Sequence, residues 1–208
     1  MFTGIIETTG KVTEIITAGG NKSFWVESAI GNELKIDQSL SHDGVCLTVD
    51  ALNGNLHRVT AIEETLAKSN LSLWQPNRRV NLERCVPISG RLDGHIVQGH
   101  VDTVAICTDK KILNGSWEYT FEYPKEFMPL VIDKGSIAVN GTSLTAFNVQ
   151  ENFFTVAIIP YTYEHTTIQY VEKNTIVNIE FDIIGKYILR KKMVNSIMVN
   201  HSKFTIYH

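Results

Sequence analysis

Residues 39–49, SLSHDGVCLTV, can be laid over residues 136–146, SIAVNGTSLTA. Ser, Gly, Leu and Thr coincide, Asp43 pairs with Asn140, and Cys46 falls on Ser143, 97 positions further on. The same offset carries Thr65 onto Thr162, Asn81 onto Asn178 and Glu83 onto Glu180, so that VNLER (80–84) lies over VNIEF (177–181). Near the start the offset slips to 95, laying GIIET (4–8) over GHVDT (99–103), which needs only a small indel. A repeat of this length constrains the fold before any propensity is consulted. Two homologous halves are expected, 1–92 and 93–185, followed by a C-terminal segment 186–208.

Each half is written in short stretches rich in Val, Ile, Thr and aromatic residues, among them SFWVES, GVCLTVD, RVTAI, WEYTFEY and FFTVAIIP, separated by Gly, Asn and Asp. The stretch LNGN (52–55) predicts a tight hairpin, because Asn-Gly supplies positive φ angles. A unit of this size with six strands cannot hide its edges in an open sheet, and a closed barrel removes them. The expected class is all-β: two homologous six-stranded barrels and a C-terminal helix. Short helical pieces are expected at 29–36, at 125–132, and after Thr65 and Thr162. In IGKYILRKKMVNSIMV, Ile184, Tyr187, Ile188, Val194, Ile197 and Met198 recur at helical spacing. That stripe packs either on its own barrel or on a neighbouring subunit.

Composition narrows the function classes. Charged residues are 20% of the chain and the net charge is -3, with Arg190-Lys191-Lys192 as the one basic cluster. A solvated helix face explains that cluster, and nucleic acid is not an expected partner. The start MFTGIIETTG lacks the basic segment and apolar core of a signal peptide. No apolar run approaches the roughly 18 residues of a membrane span, so no membrane is expected. Three cysteines, an odd number without a C-x-x-C pair, suit free thiols in a reducing cytoplasm.

Five motifs in order, MFTGI, DGVCLTV, NLER, DGHIVQGHVD and NGTSLT, together with the duplication, resemble the riboflavin synthase family from Met1 to about Asp182. The resemblance implies two six-stranded Greek-key barrels, a homotrimer joined through C-terminal helices, and no metal or redox cofactor. It implies dismutation of two 6,7-dimethyl-8-ribityllumazine molecules to riboflavin and 5-amino-6-ribitylaminouracil. It also implies a site between chains, where the N-half pocket of one subunit faces the C-half pocket of its neighbour. Association with a lumazine synthase is a further expectation of the resemblance.

Carried onto this sequence, one pocket is expected from Gly4, Ile5 and Ile6, from Cys46, Leu47 and Thr48, and from Thr60, Ala61, Ile62, Glu63, Glu64 and Thr65. The other is expected from Gly99, His100 and Val101, from Lys134, from Ser143, Leu144 and Thr145, and from Ile159, Pro160, Tyr161, Thr162, Tyr163 and Glu164. Ser39, matched by Ser136, is a further contact. A pteridine dione edge wants backbone N–H and C=O partners, and a ribityl chain wants hydroxyls and charges. Glycine at 4 and 99 lets the backbone approach a flat ring.

Cys46 and Ser143 can each add to the electrophilic C7 of a lumazine or steer a nucleophile toward it. Thr48 and Thr145, two residues on, share their strand faces. His100 has Ile5 as its counterpart, an asymmetry that suits a base acting on one of two substrates. Asp182 is either the family's acidic residue near the active centre or an ordinary helix-start carboxylate. His95, five residues from His100, is expected to be structural. His42, His57, His165, His201 and His208 are expected at the surface, and Cys85 and Cys107 as small hydrophobes. Asp43 stands where many members have Asn, and Tyr161 where Glu is frequent.

Two rival readings differ in class. A lumazine- or flavin-binding antenna protein has no need for the full set Cys46, Thr48, His100, Ser143 and Thr145. A flavin-reductase barrel calls for a nucleotide-binding domain, and no Gly-rich phosphate loop is present.

Overall fold

The alternation of apolar and polar residues along each strand closes each half around its own core. The computed structural model describes the backbone of residues 1–202 and the side chains of residues 1–195. The first half forms β1 (Thr8–Ala18), β2 (Asn21–Glu27), β3 (Ser39–His42), β4 (Val45–Asn53), β5 (Leu56–Ala61) and β6 (Arg79–Arg84). They close antiparallel in the order β1-β2-β5-β4-β3-β6. In β2, Phe24 and Val26 point into the barrel while Ser23 and Trp25 flank them on the outer face. Phe24 meets the buried Trp74 edge-on, with ring centroids 5.1 Å apart.

The second half repeats the plan with β7 (Thr103–Leu113), β8 (Ser116–Glu122), β9 (Ser136–Val139), β10 (Thr142–Phe147), β11 (Phe153–Ile158) and β12 (Ile176–Phe181), closed as β7-β8-β11-β10-β9-β12. Its core is more aromatic, built on Tyr119, Phe121, Phe154 and Phe181. The first strand of each barrel carries a bulge, between Val12 and Glu14 and between Cys107 and Asp109. The extra residue sharpens the bend that a small barrel needs.

Regular α-helix is confined to α1 (Glu63–Lys68), α2 (Pro160–His165) and α3 (Ile183–Ser202) among the described residues. The helical pieces expected after Thr65 and Thr162 are present. Both α1 and α2 begin just before these threonines, run past them and are each followed by a 3-10 turn, Asn70–Leu73 and Thr167–Tyr170. Pro160 suits a first helical position because its missing N–H is not needed there. The stretches at 29–36 and 125–132 form 3-10 turns only, Gly31–Glu33 and Lys125–Leu130. Gly31 is pressed onto the Asn55 carbonyl, where a Cβ would lie 2.0 Å from the oxygen, and Pro129 lacks an N–H to continue a helix. The LNGN hairpin turns at Gly54, the one residue of the four at positive φ.

Asp182 starts α3, its Oδ1 accepting the Ile184 N–H at 3.0 Å. Ile184, Tyr187 and Ile188 are exposed along α3, as are residues 190–192. The side chains of Ile197, Met198 and His201, and residues 203–208 with His208, lie outside the described residues. Among the described residues no helix is long and apolar enough to cross a membrane.

Two histidines expected at the surface are fully buried. His42 and His57 meet through their Nε2 atoms at 2.8 Å, in slots that hold Val139 and Phe154 in the second barrel. His42 Nδ1 donates to the Leu40 carbonyl at 3.1 Å, so its Nε2 accepts from His57 Nε2–H. Burial pushes both imidazoles below the ordinary histidine range, and they are neutral at pH 7. Strand alternation could not reveal them, because a satisfied imidazole fills a core slot as an aromatic ring does. His165 is exposed, as expected.

A symmetric amide network joins the barrels. Asn81 Nδ2 donates to the Asn140 carbonyl, and Asn178 Nδ2 to the Asp43 carbonyl, each at 2.9 Å. Asn81 Oδ1 accepts the Thr167 N–H and Asn178 Oδ1 the Asn70 N–H, each at 2.7 Å. The symmetry breaks at Asp43, which takes the place of Asn140. Its Oδ1 accepts the Asn81 N–H, while its Oδ2 has no hydrogen-bond partner and faces Arg78 Nη2 at 3.5 Å. Burial raises the Asp43 pKa to about 6, against the pull of Arg78. A carboxyl with a raised folded-state pKa costs stability above that pKa, and the cost fades as pH falls through it. Asp43→Asn should therefore raise the melting temperature above pH 6 or so and change it little near pH 4, the ordinary carboxyl range. Melting curves across that window check it, and an equal effect at both ends would contradict it.

Candidate active site

Two short segments leave their own barrel and close on the other. Residues Phe2 and Val97 bridge antiparallel, with N–H···O distances of 2.7 and 3.1 Å, so the segments cross at the seam. Each is held by a carboxylate of its own barrel. Glu83 on β6 accepts the N–H groups of Thr3 at 2.7 Å and Gly4 at 3.0 Å, and the Thr3 hydroxyl at 2.8 Å. Glu180 on β12 accepts the N–H groups of Gln98 at 2.7 Å and of Gly99 and His100 at 2.9 Å each. Burial raises both carboxyl pKa values, while these N–H donors pull them back toward the charged form.

So held, the glycines reach strands of the opposite barrel. The Ser143 N–H donates to the Gly4 carbonyl and the Cys46 N–H to the Gly99 carbonyl, each at 2.8 Å. A Cβ on Gly4 would lie 2.6 Å from the Ser143 Cβ, and one on Gly99 would lie 2.5 Å from the Cys46 Cβ. Both glycines have positive φ, 78° and 80°. The grouping read from the sequence is thereby crossed. Gly99, His100 and Val101 join Cys46, and Gly4 joins Ser143. The spatial partner of each segment is the other half's strand, which an alignment of the halves cannot reveal.

A cavity of about 240 Å³ on the first barrel is lined by Cys46, Thr65, Lys68, Gly99, His100 and Val101, among others. Burial pushes the Cys46 thiol above its usual range, so at neutral pH it is a neutral thiol that needs a base to become a nucleophile. His100 lines the same cavity. Ser39 lies opposite Thr48 on the β3–β4 pair, and Thr48 and Thr145 are both exposed. Thr60 hydrogen-bonds Ser23 and Asp50. Glu64, beside the cavity, pairs with Lys68 at 3.1 Å.

Other expected residues are placed differently. Leu47 and Ala61 are core residues of the first barrel, and Leu144 packs on the core of the second. Ile5, Ile62, Ile159 and Tyr161 expose large apolar surface, Ile6 is half-buried, and Glu63 lies on α1. On α2, which holds Pro160, Thr162 and Glu164, Tyr161 stacks on His165, and Tyr163 stacks on Trp117 with centroids 3.8 Å apart. Lys134 places its ammonium 5.3 Å from the Phe147 ring. Cys107 is buried, whereas Cys85 is half-buried and reaches the Ser39 carbonyl at 3.7 Å. A larger hollow of about 460 Å³, at the seam by Arg78 and Tyr170, contains none of the expected residues.

Three side chains beside the candidate site are not placed there by a reading of the sequence. His95, expected to be structural, is buried with Nδ1 2.7 Å from Ser143 Oγ. Its five-residue spacing from His100 is odd only if a strand is assumed, whereas the segment spans the seam between the two sites. Glu83 and Glu180 are visible as a repeated pair, but nothing in the strand pattern says that they hold loops.

Two barrels with crossed glycine segments define a duplicated two-barrel class of protein. The family model for the lumazine binding domain matches residues 3–85 and 98–182. Riboflavin synthase of Actinobacillus pleuropneumoniae is 36% identical over 190 residues, covering 90% of this chain and 88% of that protein. That of Mycobacterium tuberculosis is 39% identical over 204 residues, covering 91% and 97%. The chain belongs to the riboflavin synthase family. Among solved structures, LumP complexed with riboflavin superposes with a TM-score of 0.82 at 20% identity, covering 87% of this chain and 99% of that one. LumP complexed with 6,7-dimethyl-8-(1'-D-ribityl) lumazine gives 0.80 at 17%, with the same coverage, a likeness of fold.

The crossing can be tested through its glycines. Gly19 has φ 59° and nothing within 4 Å of where a Cβ would stand, so Gly19→Ala should cost only the left-handed strain of about 1–2 kcal/mol. Gly4→Ala and Gly99→Ala add a clash and should lower the melting temperature clearly further. Equal losses in all three would contradict the close approach.

Proposed function

We infer that the chain is a riboflavin synthase, dismutating two 6,7-dimethyl-8-ribityllumazine molecules to riboflavin and 5-amino-6-ribitylaminouracil. One observation carries the reading: two equivalent sites, one with a thiol and one with a hydroxyl, each completed by a glycine segment of the other half. A reaction between two identical molecules in opposite roles needs paired but unequal pockets. Holding both molecules in register can contribute on the order of 7–11 kcal/mol.

Cys46, Thr48 and Ser39 form the polar edge of one pocket, and Ser143 and Thr145 that of the other. His100, with Ile5 as its counterpart, takes a proton from the 7-methyl group of the lumazine beside Cys46. Asp182 serves the second pocket from the start of α3. Gly4, Ile5, Ile6, Leu47, residues 60–65, Gly99, Val101, Lys134, Leu144 and residues 159–164 contribute contacts, the leucines through their backbone.

The exposed Ile184, Tyr187 and Ile188 on α3 support a homotrimer that brings the N-half pocket of one subunit against the C-half pocket of the next. Residues 186–208 then act as the trimerisation helix and tail. Three free thiols suit the cytoplasm, and association with a lumazine synthase rests on the family alone.

The test is incubation of purified protein with the lumazine and nothing else. One riboflavin is expected for each pyrimidine product. His100→Ala should lose about 100- to 10,000-fold in turnover, the usual worth of a positioned base, while still quenching riboflavin fluorescence. Strict dependence on a nicotinamide would overturn the reaction, and full turnover in His100→Ala would remove its assigned base.

A further inference from the structure

The segment 94–101 carries a histidine to each candidate site, and the proposed proton transfer uses only His100. His95 sits at the opposite end of the segment, against the second barrel. Its backbone N–H donates to the Thr3 carbonyl at 3.0 Å, which fixes it at the crossing. Gly94 makes the approach possible, since a Cβ there would stand 2.1 Å from the Thr3 carbonyl oxygen and 3.0 Å from the Ser143 Cβ. The imidazole is buried, its Nδ1 is 2.7 Å from Ser143 Oγ, and its Nε2 has no partner among the described residues.

We propose that His95 is the positioning residue of the second pocket, accepting the Ser143 hydroxyl proton in a hydrogen bond and so turning the Ser143 oxygen lone pairs toward the bound lumazine. The proposal rests on the lumazine-dismutating reading and deepens it. A neutral imidazole has one N–H and one bare nitrogen. Burial holds His95 below the ordinary histidine range, and the Asp182 carboxylate works against that shift. A bare Nδ1 accepts the Ser143 O–H, which leaves Nε2–H as the imidazole's one proton in the field of that carboxylate. An acceptor at this place fixes a hydroxyl that would otherwise rotate freely.

The asymmetry between the pockets is then chemical as well as positional. Ser143 is oriented by a buried imidazole behind it. Cys46, by contrast, shares its cavity with an exposed one, His100. The segment 1–6 contains no histidine, so both imidazoles come from a single crossing segment.

The experiment is a double-mutant cycle in the full-length protein, read as riboflavin formation and, separately, as riboflavin fluorescence quenching. His95→Leu should lower kcat about 10- to 100-fold, the worth of one hydrogen bond to a reacting group, with riboflavin affinity unchanged. His95→Asn, whose side-chain oxygen can stand near the place of Nδ1, should recover most of that loss. In a Ser143→Ala background, His95→Leu should cost nothing further, because its effect passes through the missing hydroxyl.

Equal losses with and without Ser143 would make His95 merely structural and overturn the proposal. So would full turnover in His95→Leu. If His95→Leu fails to fold, a kcat in His95→Asn as low as that of Ser143→Ala would overturn it too. Wild-type protein that makes no riboflavin would overturn the reaction and this proposal together.

Discussion

Two carboxylates, Glu83 and Glu180, each gather the backbone N–H groups of a segment that would otherwise be a loose strap. Glu83 takes Thr3 and Gly4, and Glu180 takes Gln98, Gly99 and His100. Buried loop N–H groups must find acceptors, and a charged acceptor forms the stronger bonds. Once the N–H groups point back at the carboxylate, the carbonyls of Gly4 and Gly99 point the other way, to the N–H groups of Ser143 and Cys46. The barrels therefore complete each other's candidate sites, and the two halves are interlocked by their segments and not merely joined in series.

The amide network around Asn81 and Asn178 sets the distance over which that exchange works. Each asparagine donates to a carbonyl and accepts an N–H from the other barrel, which fixes direction as well as separation. Apolar burial alone would tolerate sliding, whereas hydrogen bonds lose their worth quickly when misaligned. Asp43 is the one carboxylate in the network, and its burial, only partly offset by Arg78, makes the seam sensitive to pH in a way that Asn140 does not.

Much of the fold is legible in the sequence. Alternation in stretches such as SFWVES and the repeat at offset 97 lead to two closed six-stranded barrels, because edges in so small a unit have nowhere else to go. Cys46, Ser143 and the two glycines stand out for the same reason, as repeated residues with a chemical difference. What stays hidden is anything that depends on which half touches which. Sharing a half puts His100 with Ser143, yet it lines the Cys46 cavity. His42 and His57 are misplaced because sequence cannot show that two imidazoles satisfy each other. His95 is read as structural because an odd spacing from His100 puts it on the opposite face of a strand, whereas residues 94–101 cross the seam outside any strand.

A carboxylate of one barrel holds the segment that closes on the other, and Cys46 reports on it directly. Its alkylation rate can be followed by peptide mass spectrometry, which separates it from Cys85 and Cys107. Releasing the Gln98–His100 segment by Glu180→Ala should speed modification of Cys46, although Glu180 belongs to the second barrel. Glu83→Ala, in the same barrel as Cys46, should leave that rate near the wild-type value. Faster labelling in Glu83→Ala with no change in Glu180→Ala would contradict the crossed arrangement.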